Sequence, residues 1–265
     1  MNWGASLAGL MVGTLVGMTG VGGGSLMAPV LILLLGVDPL HAVGSDLAYA
    51  SVTKAVGAWQ HALRDGIDYR VVRWLALGSV PAALLAVAIA SHLPPAVSSR
   101  RLVTTVLGGV LLISAAALLL RRRHAQEGAA APSPWLLAGI GLVVGALVAL
   151  TSVGSGSLVM AALTTLTPLQ ARRAVGTDVL HAMLLSLAAA VAHFAVGTVD
   201  LPLTGALLLG SIPGVMLGSR LPGLASVRVL RVVLAATLVL AGSQLLRVGR
   251  APERREPTPV VAARP

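Results

Sequence analysis

The sequence predicts an all-α membrane protein built from two inverted repeats of transmembrane helices, each with a broken helical hairpin at a glycine-rich turn. Three observations carry this prediction: an apolar composition, apolar runs long enough to cross a bilayer, and an internal repeat. Hydrophobic residues make up 56% of the 265 residues and charged residues only 11%. Soluble domains are about 45–50% apolar and about 25% charged. A soluble protein of this size would lack the charge to cover its surface, and a disordered chain would be far less apolar.

The composition also excludes several classes of function. There is no cysteine, so disulfides, cysteine-based metal sites and thiol catalysis are ruled out. The net charge is +10, and every basic residue except Lys54 is an arginine. Nearly all these arginines lie in short gaps between apolar runs, which is typical of a membrane protein rather than of a nucleic-acid-binding surface. No nucleotide P-loop is present, and we expect no cofactor, no metal and no nucleic-acid partner.

Ten apolar runs follow one another along the chain. They cover about 4–19, 25–36, 42–63, 71–91, 102–120, 135–150, 157–167, 174–196, 201–221 and 227–246. The first is read as a membrane element rather than a signal peptide, because it has no basic start and no cleavage site before a polar domain. The runs 25–36 and 157–167 are too short to cross a bilayer comfortably. Each of the two follows a break rich in glycine and serine, at Gly20–Ser25 and at Ser152–Ser157.

The internal repeat has a constant offset of 132 residues. It relates the two breaks to each other, Ala42–Leu47 to Ala174–Val179, and Gly78–Pro81 to Gly210–Pro213; it also aligns His61 with His193 and Asp68 with Asp200. Apolar composition alone does not align aspartate with aspartate and histidine with histidine. We therefore expect a first transmembrane repeat at 1–121, a polar linker at 122–134, a second repeat at 135–247, and a disordered basic tail at 248–265.

The orientation of the repeats follows from parity. If each break is the tip of a hairpin that enters and leaves on one side, three further crossings remain in each half, and the second half is inverted. Eleven arginines between helices then share one side, which is expected to be cytoplasmic, and two lie on the other. The arginines of the tail fall on that second side, against the rule. One long broken crossing in place of each hairpin would make the repeats parallel, and this alternative stays open.

Ionisable residues inside the apolar runs are the candidate functional groups, because burying such groups in a bilayer is costly. Lys54, the only lysine, is eight residues from Asp46 and seven from His61, so the three share one broad face of a helix. It is either a substrate or proton-relay residue or a structural partner for an aspartate. Asp46 and Asp178 are expected to begin their helices, where they either cap free amides or form a symmetric functional pair. The proton-coupling candidates are Asp46, Asp178, His181, His61 and His193, although an interfacial or capping role is favoured for His61 and His193.

The two breaks are the candidate substrate site. Irregular backbone at membrane depth is tolerated only where it lines a cavity or is buried in protein, and a half-helix that starts there directs free N–H groups at that cavity. Tight helix packing by small residues is the alternative. The predicted substrate-binding residues are Gly22, Gly23, Gly24, Ser25, Lys54, Gly154, Ser155, Gly156 and Ser157. Pro81 and Pro213 are expected to kink their helices.

Together these residues resemble the TauE/SafE family of sulfite exporters and related permeases. The doubled pattern carries the resemblance over about residues 5–247: a glycine-rich break, Val-Gly-[Ser/Thr]-Asp at 43–46 and 175–178, a histidine followed by Gly and Asp, and Gly-Ser-[Val/Ile]-Pro at 78–81 and 210–213. The resemblance implies a multi-pass inner-membrane carrier of small anions, often sulfur oxyanions or organosulfonates. The second break departs from the family pattern, since Ser152 and Ser155 replace glycines.

The sequence therefore predicts a secondary transporter for a small anion, either a sulfur oxyanion, an organosulfonate or a small carboxylate, driven by an ion or proton gradient. It is placed in the bacterial inner membrane as a multi-pass protein that is not an enzyme. Its expected partners are the anion and membrane lipids, and a homodimer is one option for its oligomeric state. The alternatives are an intramembrane hydrolase that uses Ser157 and a histidine, and a membrane scaffold that transports nothing.

Overall fold

The structure is a computed structural model that describes residues 3–19, 26–92, 99–120, 132–219 and 227–250. All regular secondary structure in these ranges is helical. Ten helices lie in these ranges: α1 Trp3–Thr19, α2 Met27–Leu33, α3 Pro39–Ala62, α4 Tyr69–His92, α5 Ser99–Leu120, α6 Pro134–Thr151, α7 Leu158–Leu166, α8 Ala171–Ala195, α9 Leu201–Ser219 and α10 Val227–Arg250. The first break and nearly all of the linker lie outside the described residues. So does the tail beyond Arg250, where α10 ends.

The lengths of the helices confirm an all-α membrane protein. In the described part of the chain, four segments are long and apolar enough to cross a membrane: Tyr69–His92, Pro134–Thr151, Arg172–Ala195 and Leu201–Gly218. Shorter apolar stretches occupy Trp3–Leu15 and Val103–Leu119. The helices α2 and α7 have only 7 and 9 residues, so each covers about half of the hydrocarbon thickness or less.

The helices α3 and α8, which carry Asp46 and Asp178, begin earlier than the apolar pattern predicts. In α3, Pro39 occupies the first turn and the Asp38 side chain accepts the Leu40 N–H at 3.0 Å, which is a standard N-terminal arrangement. The helix α8 likewise starts at Ala171. Asp46 and Asp178 therefore lie in the third turn of their helices. The prediction that they begin their helices is wrong, and the alternative that they cap free amides falls with it. The starts of α3 and α8 were predicted too late because their first turns are polar and the apolar runs begin only after these turns.

The two halves of the chain interleave rather than fold apart. The most extensive contacts join α1 to α9, α4 to α6, α5 to α10 and α3 to α8, and each of these pairs takes one helix from each half. In the α1–α9 pair, Gly9 faces the backbone of Leu207 and Gly13 faces that of Ser211. The step from Gly9 to Gly13 is one turn along α1, and the step from Leu207 to Ser211 is one turn along α9 in the same direction. The two helices therefore run parallel with their backbones in contact, as small residues at four-residue spacing allow.

The helices α3 and α8 run in opposite directions. A Cβ added to Gly44, near the start of α3, would lie 2.5 Å from the carbonyl oxygen of Thr198, just beyond the end of α8. A Cβ added to Gly176, near the start of α8, would meet the carbonyl oxygen of Gly66, just beyond the end of α3. The offset of 132 residues converts each contact into the other. These two helices, which correspond to each other in the repeat, cross near their middles.

Replacing Gly13 by alanine is expected to lower the thermal midpoint of the detergent-solubilised protein. A Cβ at this position would lie 2.6 Å from the Ser211 carbonyl oxygen and 2.8 Å from its Cα, so the α1 and α9 backbones must separate, at a cost of about 1–3 kcal/mol. The matched control is Gly205→Ala in α9, where a Cβ meets nothing within 4 Å and the midpoint should hold or rise, because alanine favours helix. Equal midpoints for the two variants would contradict the close packing of α1 on α9.

Candidate functional site

A cluster of buried polar side chains lies where α3 crosses α8. Lys54 lies near the middle of α3, and its Nζ donates hydrogen bonds to Ser155 Oγ at 2.9 Å and to Ser186 Oγ at 3.4 Å. Both serines are buried. One ammonium group thus joins three elements: α3, the second break and α8.

The second break brings irregular backbone to this cluster. The helix α6 ends at Thr151, and Ser152 adopts a left-handed conformation with φ 58°, its N–H bonded to the Val148 carbonyl at 2.6 Å. Ser152 and Ser155 are 2% and 3% exposed. The backbone of the break is therefore enclosed by protein, which satisfies the condition for non-helical structure at membrane depth.

Asp46 contributes a carboxyl group from α3. Its side chain is fully buried, and neither carboxyl oxygen has a hydrogen-bond partner among the described residues. The groups that act on it electrostatically are the Ser152 hydroxyl, the Lys54 ammonium and the backbone N–H of Ala28. None of the three provides the direct hydrogen bond that a buried carboxylate ordinarily requires.

Asp178 holds the corresponding position in the second half. It lies in the third turn of α8 and is 6% exposed. Lys54 interacts electrostatically with Asp178 as well as with Asp46. The two carboxyl groups that correspond in the repeat therefore act on the same ammonium group.

His181 and Tyr49 occupy corresponding positions that differ in chemistry. The Nε2 atom of fully buried His181 lies 2.9 Å from Ser79 Oγ, and its Nδ1 has no hydrogen-bond partner among the described residues. In the other half, the Tyr49 hydroxyl interacts with Ser211. The serine of each Gly-Ser-[Val/Ile]-Pro motif thus contacts a helix of the opposite half, through histidine in one case and tyrosine in the other.

The Val-Gly-[Ser/Thr]-Asp motifs each combine three roles. The glycine permits the backbone contact between the halves described above. The hydroxyl accepts a hydrogen bond across the halves, at 2.9 Å from Asp200 N to Ser45 Oγ and at 2.9 Å from Asp68 N to Thr177 Oγ1. The aspartate enters the polar cluster. Asp68 and Asp200 in turn accept backbone N–H groups of the first turns of α4 and α9, so each motif anchors the start of a helix from the other half.

His61 and His193 lie at the far ends of α3 and α8, about 10 Å along the helix axis from the Lys54 level. His193 is buried, and its Nε2 donates to the Ala149 carbonyl at 2.9 Å, while its Nδ1 lies 2.8 Å from Thr198 Oγ1. His61 is partly exposed. This geometry favours the interfacial, capping interpretation of both histidines over membership of the cluster.

The structure thus brings together part of the predicted set. Lys54, Ser155, Asp46, Asp178 and His181 belong to one cluster, since Lys54 also acts electrostatically on His181. Ser157 forms no hydrogen bond with Lys54; its Oγ donates a hydrogen bond to Ser114 Oγ at 3.0 Å. Gly154 and Gly156 lie in the same buried break, whereas Gly22, Gly23, Gly24 and Ser25 lie outside the described residues.

Sequence reasoning missed four members of the site: Ser152, Ser186, Ser79 and Tyr49. Ser186 and Tyr49 have no motif of their own. Ser152 begins the second break and Ser79 belongs to the Gly-Ser-[Val/Ile]-Pro motif, but neither was predicted as a site residue. The repeat offset alone could have singled out Ser186, because it lies 132 residues after Lys54. Across the described residues, no three His, Asp or Glu side chains are grouped as a metal site would require.

The architecture and this buried charged cluster define a class: a multi-pass membrane transporter of the cell membrane. The model of the family described as sulfite exporter TauE/SafE matches residues 5–245. A relative from Bacillus subtilis (strain 168), named "Probable membrane transporter protein YjnA", is 41% identical over 250 residues, covering 91% of this chain and 98% of the relative. No solved structure matches the chain. The chain belongs to the sulfite exporter TauE/SafE family, as its sequence motifs predicted, and family and relative are transporters rather than enzymes.

The hydroxyl groups that link the halves are expected to contribute equally to stability. Ser45→Ala and Thr177→Val each remove one acceptor from a backbone N–H of the other half, so each should lower the free energy of unfolding by about 1 kcal/mol. Thr165→Val is the control, because its exposed hydroxyl bonds only within its own helix. Denaturation of the purified variants measures the effect. If Thr165→Val is as destabilising as Thr177→Val, the cross-half hydrogen bonds carry no special weight.

Proposed function

We propose that the protein is a secondary transporter for a small anion, either a sulfur oxyanion, an organosulfonate or a small carboxylate, bound at the Lys54 cluster. The single observation that carries the proposal is the Lys54 ammonium held between Ser155 and Ser186 at the centre of the α3–α8 crossing. An ammonium group and two hydroxyls are hydrogen-bond donors suited to an oxyanion. The electrostatic attraction between these donors and an anion is stronger where protein excludes water.

The second break adds further donors to the same region. The helix α7 starts at Leu158, immediately after the break, and the positive end of its dipole lies on the side of the serines that follow α6. Discontinuous helices in corresponding positions of two halves mark the substrate site in many transporters. We assign substrate binding to the backbone and side chains of 154–157 together with Lys54. The first break, at 22–25, is assigned the corresponding part by the repeat.

An inverted arrangement of the two halves supports a transport cycle. The antiparallel crossing of α3 and α8, which correspond in the repeat, is what an axis perpendicular to the helices produces. The reciprocal contacts of Gly44 and Gly176 follow the same axis. We propose that residues 1–121 and 135–247 form these two halves. Their exchange of conformation would expose the central cluster alternately to the two sides of the membrane.

The charges of the cluster suggest why a proton accompanies the anion. One ammonium faces two carboxyl groups, those of Asp178 and Asp46. With both ionised, the cluster carries a net negative charge and repels an anion. Addition of a proton to one carboxyl removes that excess. Binding of anion and proton is therefore mutually favourable, which is the thermodynamic basis of symport. Asp46, with no hydrogen-bond partner among the described residues, is the carboxyl we assign to the proton.

The geometry gives no support to the hydrolase alternative. The Ser157 hydroxyl donates to Ser114, and His193 contacts Thr198 and the Ala149 carbonyl. His181 does contact a serine, Ser79. The corresponding pair in the other half is Tyr49 with Ser211, and tyrosine is a poor general base near neutral pH. The repetition of this contact indicates a packing role.

Replacing Lys54 by alanine is expected to reduce anion flux about 10- to 100-fold, because a charged donor to the substrate is lost. Uptake into proteoliposomes would be measured against a panel of sulfite, sulfate, thiosulfate, sulfoacetate and small carboxylates. Arg73→Ala is the matched control, since it also removes one positive charge, from an exposed position at the start of α4. Its flux should match that of the parent protein.

If no anion of the panel moves in a Lys54-dependent way, the anion-transport proposal is wrong. Unchanged flux of every solute in Lys54→Ala, with the protein folded, would favour the non-transporting scaffold.

A second prediction concerns the proton. Acidifying the uptake side should stimulate transport in the parent protein, because the protonated carboxyl no longer opposes the anion. Asp46→Asn should keep anion exchange between equal pools but lose this stimulation, since the amide does not titrate. Asp178→Asn, at the corresponding position, is the comparison, and should retain more of the response. Stimulation that persists undiminished in Asp46→Asn would remove Asp46 from the coupling scheme.

A further inference from the structure

Lys54 contacts its own counterpart in the repeat. Its partner Ser186, at 3.4 Å, lies 132 residues further along the chain, which is the offset that relates the two halves. A residue that touches its own counterpart lies at the axis relating the halves, because only points near that axis map onto their neighbours. The contact therefore places the ammonium group at the pseudo-two-fold axis.

The aspartates give an independent indication of the same placement. Asp46 and Asp178 correspond in the repeat, and both act electrostatically on Lys54. A charged group far from the axis would interact electrostatically mainly with the aspartate of its own half. The influence of both on one ammonium group is expected for a charge at the centre.

We propose that Lys54 and Ser186 form a single anion-coordinating pair on this axis, in which Ser186 contacts the substrate and either helix can supply the ammonium group. The inference rests on the proposed anion transport and adds Ser186 to its binding residues. Lys54 donates to the Ser186 oxygen, so the Ser186 hydroxyl hydrogen points away from the lysine and is a second donor for an oxyanion. A group on the axis has the same relation to both halves, so one cation serves both orientations of the carrier.

The same geometry explains why only one of the two corresponding positions, 54 and 186, carries a lysine. Two lysines at 54 and 186 would place two ammonium groups within a few ångströms of each other, where like charges repel strongly. The repeat therefore loses its symmetry at this position, with a lysine in one half and a small neutral donor in the other.

Exchange of the two side chains tests the proposal. The variants are Lys54→Ser, Ser186→Lys and the double variant K54S/S186K, each assayed in proteoliposomes with the anion that the parent protein carries. Lys54→Ser lacks the cation and Ser186→Lys brings two cations together, so each single variant should lose flux about 10- to 100-fold. The double variant should recover to within about threefold of the parent, because it restores one cation beside one hydroxyl.

A chemical version covers the case in which lysine at 186 prevents folding. The chain contains no cysteine, so K54S/S186C carries a single thiol that replaces a serine of similar size. After folding, 2-aminoethyl methanethiosulfonate adds an ammonium group at 186 and should restore flux, whereas the neutral methyl reagent should not. Mass spectrometry verifies the labelling.

The outcomes separate this proposal from the one on which it rests. A Lys54-dependent flux that neither K54S/S186K nor the aminoethylated K54S/S186C recovers, with the proteins folded, overturns the axial pair and leaves anion transport standing. A thiol at 186 that the reagent never modifies also overturns it, since a substrate-contacting residue must be reachable. If the parent protein and Lys54→Ser carry every anion equally, anion binding at Lys54 and the axial pair fail together.

Discussion

The burial of one ammonium group at the crossing of α3 and α8 constrains the rest of the structure. A lysine at the centre of a membrane helix costs about 3 kcal/mol of insertion free energy relative to an apolar residue, even by the scales that give the lowest values. The surroundings offset this cost with two serine hydroxyls and two aspartates. To supply them, the chain interrupts α6 at Ser152 and aligns α8 against α3 in the opposite direction. A charge maintained at this cost supports the anionic substrate that we propose.

The cluster keeps its geometry because neighbouring helices are fixed by reciprocal contacts. Ser45 and Thr177 accept N–H groups of Asp200 and Asp68 at 2.9 Å each, and glycines bring the helix backbones into contact at the same level. These contacts run between the halves, so movement of one half must shift or break them. The polar groups at the centre depart from this symmetry: His181 corresponds to Tyr49, and Lys54 to Ser186. Packing is thus shared by both halves, while the charges that we assign to transport are distributed unequally.

Composition and the repeat were sufficient to predict an all-α membrane protein of this family, including the short helices that follow the two breaks. They also identified the buried ionisable groups Asp46, Asp178 and His181 and the partly buried Lys54. Helix starts were predicted less well, because Asp38 and Pro39 begin α3 before its apolar run and thereby carry Asp46 into the third turn. Ser186 was missed because a serine in an apolar helix has no distinguishing pattern, and Ser152 was missed although it begins the second break. Their role depends on which helices touch, and the apolar runs do not specify helix pairing.

The corresponding helices α3 and α8 cross antiparallel at Lys54, and cysteine cross-linking in native membranes can test this arrangement. The chain has no cysteine of its own, and a Cβ at Gly57 would lie 3.2 Å from a methyl carbon of Val179. Oxidation should therefore cross-link G57C/V179C rapidly within one chain. G57C/A189C joins positions that correspond in the repeat, and in an antiparallel pair Ala189 lies about 15 Å further along α8, so it should not cross-link. Efficient cross-linking of G57C/A189C and none of G57C/V179C would show that α3 and α8 do not cross antiparallel at Lys54.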